Sequence, residues 1–449
     1  MRNLLHLIAA LALLLGACRA VAQPERPPQA IAYRGATLVD VRSGELRRVT
    51  IVARGETIEA LLPPDAPIPA GAKAVDVAGL YAIPGLIDVH QHVENGRGRR
   101  AAEAVLRREV YSGVTAVRDM LGDARILADL SRAARFGELP APDVDFAGLV
   151  AGPGYFIDGR LNDLARGGTP GKVPWIQSIT AGTDLPLAIA RLAGTGARGV
   201  KIYGNLDSAS VERIAAEAHR QSLAVWAHAA VFPATPMEVI EAGADSVSHV
   251  CMLAYQTLAV PPVSYHDRAP LDQAALMRGP PHPALAGLFR AMKARGTVLD
   301  TTVSVYHLIE RLRRELPEPK PPTYCDSALA ERIAGQAHAA GVTLATGTDA
   351  PAPTASPWPA VFDEMDLLRK AGLPPLEVLR AATVNGARAL GREGELGAIE
   401  PGKLANIAFL SENPLAGRAQ WRSVVLTVKR GAPYWRRDYR PITAEEMGE

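Results

Sequence analysis

Between residues 84 and 401 one pattern recurs eight times: a short run rich in β-branched and apolar residues, then a longer stretch able to form a helix. The runs are LIDVHQH, GVTAVRD, DVDFAGLVAG, GVKIYG, LAVWAHA, DSVSHV, TVLDTTV and VTLATGTD. Strands that alternate with helices lie parallel, because each helix carries the chain back to the starting edge of the sheet. Eight such units in roughly 300 residues fit an α/β fold of the (β/α)8 TIM-barrel type, whose chemistry sits at the C-terminal ends of the strands. VERIAAEAHRQ after the fourth run and PLEVLRAATVNGARAL after the eighth read as helices.

The flanks have a different character. AIAYRGATLVDV, VTIVARG, TIEALLPP and AVDVAGLYAI precede the barrel, and LANIAFLSENP and SVVLTVKRGAPYW follow it. Short β-rich runs separated by Gly, Asp and Pro indicate small antiparallel strands. The expected division is therefore a barrel over 84–401 and a small β-sandwich-like domain assembled from 23–83 and 402–449. Proline-rich stretches at 261–283 and 316–326 read as long loops near the barrel mouth.

Residues 1–22 read as a signal peptide: an apolar run over 4–15, too short to span a bilayer comfortably, precedes small residues. Two cleavage readings stand side by side. Leu15-Gly16-Ala17-Cys18 resembles a lipobox, which would place a lipid anchor on Cys18, and Ala20-Val21-Ala22 suits ordinary signal peptidase. Either implies export, to the periplasm or tethered to the cell envelope. The remaining cysteines, Cys251 and Cys325, are compatible with one disulfide or with two buried thiols.

With 49 basic against 47 acidic side chains and a formal net charge of +2, the chain carries no electrostatic footprint for nucleic acid. A small-molecule substrate is the better expectation. Oligomeric state is not legible.

The first run ends in His90-Gln91-His92. Residues i and i+2 of a strand share a face, so the two imidazoles converge. Alone, the pair fits either half-buried histidines bonded to backbone or two ligands of one metal. The other strand ends add Lys201 on the fourth, His228 on the fifth, His249 on the sixth and Asp349 on the eighth. Six such groups at strand ends are hard to explain as core filling. Four neutral imidazoles and a carboxylate can hold two divalent cations, which repel at about 3.5–4 Å and need a bridging anion. Lys201 carboxylated by CO2 would be a carbamate with one oxygen for each metal.

These motifs, with GVKIY, the SHV of the sixth run, GTDAP and the closing NGARALGREGELGAIEPGKLANIAFL, resemble the amidohydrolase superfamily of metal-dependent hydrolases. The resemblance covers nearly the whole of the expected mature chain. It implies His90 and His92 as ligands of a buried metal with Asp349, His228 and His249 as ligands of a second, and carboxylated Lys201 as the bridge. Zinc is the default metal. The order is most similar to the binuclear branch with prolidase-like dipeptidases, whereas imidazolonepropionase-like members share much of the pattern with one metal and no lysine bridge. Two departures stand out: Asn406 where the closing motif commonly has Asp, and Ser248 where an acidic residue often precedes the strand-six histidine.

The implied reaction is cleavage of a C–N amide bond by a metal-bridging hydroxide, with Asp349 as proton acceptor, on a dipeptide-like or N-acyl amino acid substrate. A cyclic amide, carbamate, ester or lactone is the alternative, since the same nucleophile attacks any suitable carbonyl. A non-catalytic periplasmic binding protein is the reading from another class. Tyr203, in register with Lys201, and His307 are candidate substrate contacts. His266 and His282 read as loop residues, and His219 and His338 as helix-end residues on the opposite barrel face. Arg118 and Asp119 read as an ion pair supporting the metal site, and Arg97, Arg99 and Arg100 as a solvated run on a mobile loop.

Overall fold

The computed structural model describes residues 29–157, 159–267, 270–318, 323–416 and 420–449. The expected signal peptide and Cys18 lie outside these residues. Among the described residues no helix is long and apolar enough to cross a membrane.

All eight expected strand runs form strands: Leu86–Gln91, Val114–Asp119, Asp143–Ala151, Gly199–Ile202, Ala224–His228, Ser246–Ser248, Val298–Asp300 and Thr343–Ala345. Each is parallel to its neighbour. The eighth returns to the first, where the Val89 amide donates to Thr346 O at 2.9 Å and the Asp349 amide to His90 O at 2.8 Å. The result is a nearly closed (β/α)8 barrel. Its core includes a charged residue: the fully buried Arg118 donates to Val89 O, Ser246 Oγ, Ala389 O and Asp300 Oδ2. Its guanidinium also lies 4.6 Å from the centre of the Trp226 ring. Buried in this way, an arginine is tolerated only because carbonyls and a carboxylate replace its hydration.

The flanking strands form one eight-stranded sheet. Ala30–Val39, Leu46–Arg54, Thr57–Leu62, Lys73–Asp76 and Tyr81–Pro84 come from the N-terminal side, and Ile407–Leu410, Val424–Lys429 and Ala432–Trp435 from the C-terminal side. The two halves join where Ile407–Leu410 runs antiparallel to Tyr81–Pro84. Asp143, at the start of the third barrel strand, fastens this sheet to the barrel. It accepts from Lys429 at 2.9 Å, Arg430 at 2.8 Å and Arg392 at 3.1 Å. Burial alone would raise its pKa, but these three cations hold it well below the ordinary carboxyl range.

Helices follow the strands with the caps their sequences supply. The expected helix after the fourth strand spans Ser208–Arg220, and Asp207 caps it by accepting from the Ser210 amide at 2.8 Å. PLEVLRAATVNGARAL, read as one helix, is instead two, Pro375–Ala381 and Val384–Ala389. The carbonyls of Ala381 and Ala382 accept from the Thr346 and Ile87 amides of the barrel strands. The helical ladder is interrupted there because the barrel uses its acceptors.

Several expectations change in three dimensions. Cys251 and Cys325 form a disulfide across 74 residues of sequence. The 261–283 stretch contains a 3-10 turn, Tyr265–Asp267, and a short helix, Gln273–Leu276. His282 caps the next helix by accepting from the Ala284 amide at 3.3 Å. Arg118 and Asp119 do not pair with each other: successive strand residues face opposite ways, so Arg118 meets Asp300 while Asp119 accepts from the Val93 and Leu121 amides. Arg99 and Arg100 open a helix, Arg99–Val110, and the run is ion-paired: Arg97 with Glu449, Arg99 with Glu103 and Asp129, Arg100 with Glu445.

Candidate active site

The first strand is buried throughout and delivers its two imidazoles with opposite edges already committed. His90 Nδ1 is 2.6 Å from Asp300 Oδ2, and His92 Nδ1 is 3.1 Å from Leu121 O. Each bond fixes the ring and leaves Nε2 facing inward. Both Nε2 atoms point at one carboxylate oxygen, Asp349 Oδ1, at 3.7 Å from His90 and 3.1 Å from His92. Donor atoms of His90, His92 and Asp349 all lie within 4.8 Å of one another, so the three can hold a metal ion.

The rest of the expected constellation is adjacent. His249 Nδ1 lies 3.8 Å from Asp349 Oδ2 and 2.9 Å from Thr302 Oγ1. Ring centres run from His92 to His90 at 5.5 Å, His90 to His249 at 5.0 Å and His249 to His228 at 4.8 Å. The fully buried Lys201 donates from Nζ to Ser248 Oγ at 2.9 Å, and Ser248 donates to Asp300 Oδ2 at 2.8 Å. Asp300, in register with Ser248 on the next strand, is the carboxylate at this level of the barrel.

The backbone is strained where these groups meet. His249, Thr302 and Asp349 have φ of 77°, 47° and 47°, a region that costs a non-glycine residue about 1–3 kcal/mol and that clusters at functional sites. The His249 and Asp349 amides are held by Asp300 O at 3.0 Å and His90 O at 2.8 Å. Gly347 keeps the eighth strand close: a Cβ there would fall 1.9 Å from Asp300 Oδ1 and 2.7 Å from His90 Cβ.

The electrostatics suit a cation. Burial lowers the pKa of His90 against the pull of Asp300 and Asp349, and lowers His249 to about 3, so both imidazoles are neutral with free lone pairs. Burial opposes protonation of His92 too, yet its hydrogen bond to Asp349 lifts it to about 9. Asp349 would be raised by burial, but His90, His92 and His249 keep it ionised well below the ordinary range. Burial brings Lys201 down to about 7. Without a metal, Asp349 thus holds a proton on His92, and a cation that displaced that proton would meet imidazole nitrogens and a carboxylate, donors that fit a divalent transition metal.

A cavity of about 880 Å3 opens above these groups, touching His92, His249, Asp349 and Tyr203. Tyr203 packs between His228, edge-on with ring centres 3.9 Å apart, and Tyr155, tilted at 4.6 Å. His307 lies on the helix Val303–Arg314, which contributes Val305, Leu308, Ile309 and Arg311 to the cavity lining, but is not itself among the lining residues. Its Nε2 meets Glu331 at 2.8 Å. His266 stacks its ring on that of the cavity-lining Tyr155, ring centres 5.7 Å apart. His219 pairs with Asp245 at 3.0 Å at a helix end, as its position implies.

Asp300 is the functional-site residue that sequence reasoning missed. Its signal was present: an ionisable residue inside the apolar run TVLDTTV, at the same strand level as the histidines.

A barrel that gathers four imidazoles, an amine and a carboxylate at its strand ends, three of them able to hold a metal ion, defines an α/β-barrel protein with a candidate metal centre. Residues 194–433 match the model of the amidohydrolase family, and the chain belongs to that family. Among curated relatives, it is 41% identical over 83 residues to adenine deaminase 2 of Agrobacterium fabrum (strain C58 / ATCC 33970), 18% of this chain and 13% of the relative. It is 38% identical over 77 residues to ochratoxinase of Aspergillus niger, 17% of this chain and 15% of the relative. The chain thus matches less than a fifth of either relative's length. A solved Xaa-Pro dipeptidase with bound methionine superposes with a TM-score of 0.71 at 20% identity, over 91% of this chain and all of the other. That likeness establishes the shared fold.

Proposed function

We propose that the protein is a metal-dependent hydrolase of C–N amide bonds, acting on a dipeptide-like or N-acyl amino acid substrate. The observation that carries this reading is the convergence of His90 Nε2, His92 Nε2 and Asp349 on one point at the floor of the 880 Å3 cavity. His90, His92 and Asp349 would hold one ion, and His228, His249 and Lys201, carboxylated on Nζ, would complete a second site. Zinc is the default. Bound divalent ions supply water activated for attack at neutral pH and a polarised scissile carbonyl.

The residues supply the remaining steps. Asp349, ionised and facing the cavity, accepts a proton from the attacking water and returns it to the leaving nitrogen as the C–N bond breaks. Asp300 holds the His90 ring so that its lone pair points inward. Tyr203 is placed to hydrogen-bond the substrate. With its pKa brought down to about 7 by burial, Lys201 carries a substantial neutral-amine fraction at neutral pH, which can add to CO2 with loss of one proton. Resemblance to proteins named as a dipeptidase and an ochratoxinase supports an amide substrate, and export from the cytoplasm belongs to the same reading.

The test is elemental analysis of protein reconstituted with transition metals and bicarbonate, followed by a panel of dipeptides, N-acyl amino acids, lactones and aryl esters. About two metals per chain and turnover of amides are expected. Lys201→Ala should lose metal, with partial rescue by a short carboxylic acid. Full metal content and activity in Lys201→Ala would sink the bridging role.

A further inference from the structure

The segment 441–449 follows the last strand of the small sheet, Ala432–Trp435, yet Ile442, Met447 and Glu449 line the same cavity as His92, His249 and Asp349. We infer that this segment is a substrate-selecting wall, in which Met447 and Ile442 limit the length of an apolar group that the substrate extends away from the scissile bond. The inference rests on the amide-hydrolase reading for the identity of the substrate.

The segment is pinned to the barrel helix Arg99–Val110. Arg107 donates from both terminal nitrogens to the two carboxylate oxygens of Glu446, at 2.9 and 3.0 Å, and from Nε to Arg440 O at 3.2 Å. A forked pair of this kind fixes position as well as charge. Arg100 to Glu445 at 2.8 Å and Arg97 to Glu449 at 3.1 Å add two exposed pairs, individually worth little. A capping box between Thr443 and Glu446 shapes the one-turn helix Ala444–Met447. Glu446 therefore both organises this turn and fastens it to Arg107.

The facing wall is fixed independently. Arg108, the next residue on the same barrel helix, is buried and donates to Pro353 O at 2.9 Å and Ser356 O at 3.3 Å, holding the loop that follows Asp349. Ile442 and Met447 share the cavity lining with the apolar Val105 and Ala360, beside the charged Arg108, Glu109 and Glu449. On this inference an alkyl or other apolar group of the substrate packs against Ile442 and Met447, and the flexible Met447 side chain limits its length.

The experiment uses the full chain, metal-reconstituted, as wild type, Met447→Ala and Met447→Trp. Two profiles are recorded: kcat/KM for N-acyl glycines from acetyl to decanoyl, and calorimetric affinity for straight-chain carboxylic acids over the same lengths. Met447→Ala should raise the long-to-short ratio about tenfold, the scale for methylenes gaining or losing a pocket, and Met447→Trp should lower it. Unchanged profiles in both folded variants overturn the inference. Shifted affinities without turnover of any amide by any of the three proteins sustain the wall and sink the hydrolase reading instead.

Discussion

Asp300 Oδ2 lies 2.6 Å from His90 Nδ1 while also accepting from Ser248 Oγ and Arg118, so one carboxylate oxygen sets the orientation of a candidate ligand and ties it to Lys201 through the serine. Asp300→Asn keeps the shape but loses the charge that holds the ring. Because outer partners of metal-bound histidines typically govern affinity by about 10–100-fold, a fall of that size is expected in chelator-competition titrations. Wild-type affinity would show that His90 needs no such support.

Asp349→Asn should lower kcat by more than about a hundredfold, the usual contribution of a positioned proton acceptor, and should also lower the melting temperature of the metal-free protein, because the charged hydrogen bond to His92 is lost. The clean reading requires metal content measured on the same sample. A loaded variant with undiminished turnover would remove Asp349 from the proton transfer.

Gly347→Ala tests the close approach of the eighth strand. Its Cβ would fall 1.9 Å from Asp300 Oδ1 and 2.7 Å from His90 Cβ, far inside van der Waals contact, so strand and carboxylate must separate. Overpacking of this kind costs about 1–3 kcal/mol, which urea unfolding should register together with weakened metal binding.

Arg118→Met removes the guanidinium that satisfies Val89 O, Ala389 O and Asp300. Breaking a buried ion pair from one side typically costs about 3–5 kcal/mol. Chemical denaturation should show a loss of that order, and a neutral result would mean that the barrel interior repacks around the methionine.

Glu109 gives a pH signature. Burial first, then the nearby Asp88, pushes its pKa up to about 8, with Arg108 and Gln91 opposing. The folded state thus holds a proton that the unfolded chain releases near the ordinary carboxyl value. The stabilisation is full below that value and is lost as pH rises through about 8. Glu109→Gln removes this dependence, so its melting temperature should gain on wild type steadily between about pH 5 and 8. Parallel curves would place Glu109 in contact with solvent.

Local patterning carried much of this protein. Short runs rich in β-branched and apolar residues marked all eight barrel strands, and the two-residue spacing of His90 and His92 put both on one face, because strand geometry obeys nearest neighbours in sequence. Lys201, His228, His249 and Asp349 were legible for the same reason: each ends a recognisable strand. What depended on tertiary structure was partnership between distant segments. That Arg118 meets Asp300 rather than Asp119, that His307 turns to Glu331, that Cys251 joins Cys325, and that Ile442 and Met447 wall the cavity each follow from how separate elements pack. Periodicity states which face a side chain occupies; only the closed barrel decides what stands opposite that face.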